Sequence, residues 1–98
     1  MALGGSLEEN CLTALIWNDN LAAHIAVNIK VSDFSIQVYQ KIAAAGLEFL
    51  ERHRQPAKAH IADVLEQELK SGPDGRFMAS VLRQMELLAP SLNEAYVR

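Results

Sequence analysis

Ninety-eight residues, half of them apolar and 21% charged, make one small globular domain with no room for a second. That apolar fraction excludes a disordered chain, because it can bury enough surface to offset its ordering entropy. Nine basic residues against twelve acidic ones leave a net charge of −3, the wrong sign for releasing phosphate counterions, so direct duplex DNA binding by this domain is disfavoured.

Helical periodicity runs through the chain and strand-like alternation is missing, so the fold class is all-α, a bundle of five main helices plus the start of a sixth. Residues 1–5 read as a leader or cloning remnant, 6–90 as the globular helical domain, and 91–98 as the first part of a helical hairpin. Ser6 and Glu9 have capping-box spacing, opening a first helix over Leu7 to Trp17 whose apolar stripe is Cys11, Leu12, Leu15 and Ile16. Asn18, Asp19 and Asn20 bond their own backbone readily and mark a turn and the cap of a second helix. That helix carries Leu21, Ile25 and Ile29 and ends near Lys30. Ser32-Asp33-Phe34 is a second turn, after which Phe34 plugs the core.

The third helix, Ile36 to Arg54, sets Tyr39, Ile42, Gly46, Phe49, Leu50 and His53 on one face. Gly46 costs about 1 kcal/mol against alanine in mid-helix, which points to another helix crossing closely there. Gln55-Pro56 ends it. A fourth helix, Ala57 to Lys70, is expected to bury Ile61, Val64, Leu65 and Leu69, and residues 71–75 form a loop. The fifth, Asp74 to Ala89, has Phe77, Met78, Val81, Leu82, Met85 and Leu88 as its inner stripe, and Pro90 is expected to break it. Ser91 and Glu94 repeat the capping-box spacing, so a sixth helix starts near Leu92 and carries Tyr96 and Val97. A helix properly capped and then cut off after two turns reads as a fragment. One core of Leu12, Ile16, Ile25, Phe34, Ile42, Phe49, Leu65, Val81 and Met85 is expected.

No catalytic set, metal site or cofactor is expected. His60 and Asp63 lie three apart on one helix, but no third ligand and no HExxH or CxxC spacing joins them. Cys11, on an apolar stripe, is a structural thiol rather than a nucleophile, and a lone cysteine fits a reducing cytoplasm. Glu8 and Glu9, like Glu66 and Glu68, point apart on their helices and share no acid–base site. The glycine-rich pieces lack a Walker lysine, so no ATPase is expected. Arg52-His53-Arg54 with Lys58 is the one local basic patch, either a small anion or partner contact or, preferably, last-turn cations favoured by the helix dipole. Neither a secretory leader nor a membrane span is apparent.

The order of these motifs resembles the N-terminal domain of DnaB-type replicative helicases. In that family an acidic start leads to V-L-G-x-L-L, a D-N-E turn, V-A-x-x-L and K-P-x-D-F-Y. Here stand Glu8, Cys11-Leu12-Thr13-Ala14-Leu15-Ile16, Asn18-Asp19-Asn20, Ile25-Ala26-x-x-Ile29 and Lys30-Val31-Ser32-Asp33-Phe34-Ser35. Further on, a G-x-P stop, L-x-x-L-A-E-x-L, a glycine turn, Y-L-x-x-L and P-S-A-x-N-I-x-x-Y are similar to Gln55-Pro56, Ile61 to Leu69, Gly75, Phe77 to Met85 and Pro90 to Tyr96. The likeness covers nearly the whole chain, with departures at Thr13, Val31 and Asp74-Gly75 that mark a divergent member. It implies a non-catalytic role in ring assembly, contacts with primase and helicase loader, self-association in the full-length hexamer, and Leu92, Tyr96 and Val97 as candidate partner or hairpin contacts. A primase's helicase-binding domain, similar in fold, and a free-standing α-helical adaptor are the alternatives.

Overall fold

The structure, a computed structural model, describes residues 5–72 and 74–97, with side chains described over 8–72 and 74–90. Helix α1 (Gly5–Trp17) is the hub and packs against α2 (Ala22–Asn28), α3 (Gln37–His53) and α6 (Gly75–Val97). Contact on several sides explains why Leu12, Thr13, Ala14, Leu15 and Ile16 are all buried rather than a single stripe. Thr13, lodged among them, turns its hydroxyl back onto the Glu9 carbonyl at 2.7 Å. Cys11, expected inside, sits half-buried at the edge of this core. The helix already includes Gly5, so Ser6 lies within its first turn; the Ser6 side chain of the expected capping box lies outside the described residues, and Glu9 bonds Tyr39.

Asn18 ends α1 as its residue type predicts. Its Oδ1 accepts from the N–H groups of Asn20 and Leu21 at 2.8 and 2.9 Å, and its carbonyl accepts from Ala22 at 3.0 Å. Helix α2 stops at Asn28, short of Lys30, because Ile29 is extended. A 3₁₀ turn at Val31–Asp33 follows, closed by Asp33 Oδ2 accepting from the Lys30 N–H at 2.9 Å. It delivers Phe34 into the core, as expected, and Gln40 Nε2 ties down the Phe34 carbonyl at 2.8 Å. Helix α3 crosses α1 at Gly46, where an added Cβ would lie 2.3 Å from Ile16 Cδ1, so the glycine is there for close approach. It ends at Arg54, whose left-handed backbone (φ 59°) lets its N–H cap the Leu50 carbonyl at 2.8 Å.

Several expectations fail beyond this point. The predicted fourth helix is two short ones, α4 (His60–Val64) and α5 (Glu66–Ser71), broken at Leu65. The bend turns Leu65 into the core and leaves Val64 49% exposed, so burial of one residue overrides the propensity of the run. Pro90 does not break the fifth helix either, since α6 continues through it to Val97. The expected sixth helix is therefore the continuation of α6, and Ser91 and Glu94 have no helix start to cap. Proline removes one N–H, which leaves the Glu86 carbonyl without its helical donor while the remaining turns persist.

The inner face of α6 is Met78, Val81, Met85 and Ala89, while Phe77, one step outside that stripe, is 48% exposed. Seven of the nine expected core residues are buried; Ile25 and Phe49 are partly buried against its outside. Among the described residues there is no strand, and no helix is long and apolar enough to cross a membrane.

Candidate interaction surface

The acidic residues of α1 are tied to the start of α3. Glu8, 1% exposed, accepts from the Ser35 N–H and, at 2.8 Å, from the Ser35 hydroxyl. Glu9 accepts from the Tyr39 hydroxyl at 2.9 Å. Burial, this hydrogen bond, and the charges of Glu9 and Glu8 push the Tyr39 phenol up to about 12. Glu8 thus holds α1 to the segment leading into α3, and Glu9 holds it to α3 itself, in keeping with side chains that point apart. Sequence reasoning missed this clamp, since nothing local to Glu8 marks a partner 27 residues away. Cys11 is raised as well, by burial and then by the Glu8 charge, which keeps it a thiol rather than a nucleophile.

His60 Nδ1 and Asp63 Oδ2 lie 4.0 Å apart on the outside of α4, both well exposed. Among the described residues no group of three or more His, Cys, Asp or Glu could hold a metal. The basic patch is largely occupied by structural pairing: Arg52 meets Glu48 at 3.1 Å and Lys58 meets Asp19 at 2.8 Å. Lys58, itself left-handed at φ 51°, also donates its N–H to the Ile16 carbonyl at 2.7 Å, satisfying one of the open carbonyls at the end of α1. Beside this patch Phe49 stands between His53, with ring centres 4.3 Å apart, and His60, 5.9 Å away and nearly parallel. The stack joins α3 to α4 across the intervening link.

A cleft of about 500 Å³ opens among the described residues where the end of α1 meets α4, α5 and α6, walled chiefly by alkyl carbon from Ala62, Leu69, Ala79 and Leu82. Trp17 lines it and carries a buried indole N–H with no acceptor among the described residues. Sequence periodicity could not have found it, because the concavity depends on the bend at Leu65. Leu92, Tyr96 and Val97 fall in the last turns of α6, and their side chains lie outside the described residues. The chain matches no protein-family model, no curated protein and no solved structure.

Proposed function

We propose that this chain is the non-catalytic N-terminal domain of a DnaB-type replicative helicase, serving ring assembly and contacts with primase or helicase loader in the cytoplasm during DNA replication. The observation that carries the reading is the order and spacing of the family's motifs along nearly all of the chain. Two of those motifs have physical work that accounts for their place: Asn18-Asp19-Asn20 supplies the Oδ1 that turns α1 into α2, and Asp33-Phe34 closes the turn and plugs the core. Chemistry of the side chains agrees, since the buried carboxylate of Glu8 is engaged in holding helices together rather than presented to a substrate.

The parent reading frame tests the proposal. A Walker A motif downstream of Arg98 supports a helicase, a primase core upstream supports the helicase-binding domain of a primase, and neither leaves a free-standing adaptor. Calorimetry against the C-terminal domain of the same organism's primase is the second test. Saturable binding is expected, and none at concentrations of about 100 μM, roughly 5 kcal/mol of affinity, sinks the primase contact.

A further inference from the structure

We draw no further inference here: the strongest candidate, the apolar cleft where the end of α1 meets α4, α5 and α6, is an unpartnered face, and nothing in the structure shows what covers it.

Discussion

At Gly46 two opposing effects can be weighed. Alanine gains about 1 kcal/mol of helix propensity, but its Cβ would sit 2.3 Å from Ile16 Cδ1 and 3.3 Å from Leu15 Cδ2, both in a filled core. Overpacking of this kind costs about 1–3 kcal/mol. Gly46→Ala should therefore lose about 1 kcal/mol net and Gly46→Leu considerably more, measured by urea denaturation. Tyr39 carries a pH signature. Its phenol is raised from 10.0 to about 12 in the folded chain, so the folded state holds the proton more tightly than the unfolded one. The resulting stability is complete below pH 10 and is lost as pH rises towards about 12. Tyr39→Phe should remove that dependence, and a stability profile between those pH values that is the same in both proteins would refute it.

Among the elements, the α4–α5 bend separates neighbours that the sequence pattern treats alike. Leu65 is buried and Val64 half exposed. Leu65→Ala should cost about 2–4 kcal/mol by leaving a cavity, while Val64→Ala should stay within about 0.5 kcal/mol, as surface changes do. Comparable losses from the two would restore the single continuous helix. Helix α6 makes the converse case. Its passage through Pro90 forgoes one hydrogen bond, so Pro90→Ala should add about 1–3 kcal/mol and raise the ellipticity at 222 nm. Unchanged ellipticity would mean that the helix is not continuous there. The Lys58 link adds tertiary contacts to its own local turn: its backbone N–H caps α1 and its ammonium reaches Asp19, contacts with no trace in local pattern.

For the whole molecule, the radius of gyration of 12.3 Å matches the roughly 12.6 Å expected of a folded chain of this length. Its exposed large apolar residues, Val27, Val64, Phe77 and Leu87 among them, come from three different helices. A standard specific interface needs about 1,600 Å² in total, a large demand on a domain whose accessible surface is 6226 Å². A monomer or weak dimer at micromolar concentration is therefore expected in sedimentation equilibrium. A stable hexamer from these residues alone would show that the globular faces, rather than the hairpin implied by the helicase resemblance, hold the ring.

Local chemistry alone determined the helical class, the Asn18 turn, the Phe34 plug and the glycine crossing at position 46. Each depends on a residue's own backbone preferences or on apolar spacing within one helix, which are written in adjacent residues. The candidate surface was not legible in that way. Where α4 bends, which of Val64 and Leu65 turns inward, that Glu8 reaches Ser35, and that Trp17 ends beside an open cleft are settled by packing between elements far apart in the chain. Propensity differences of about 1 kcal/mol or less are outweighed by burying one large side chain at about 1.5–3 kcal/mol, so tertiary contact decides wherever the two compete.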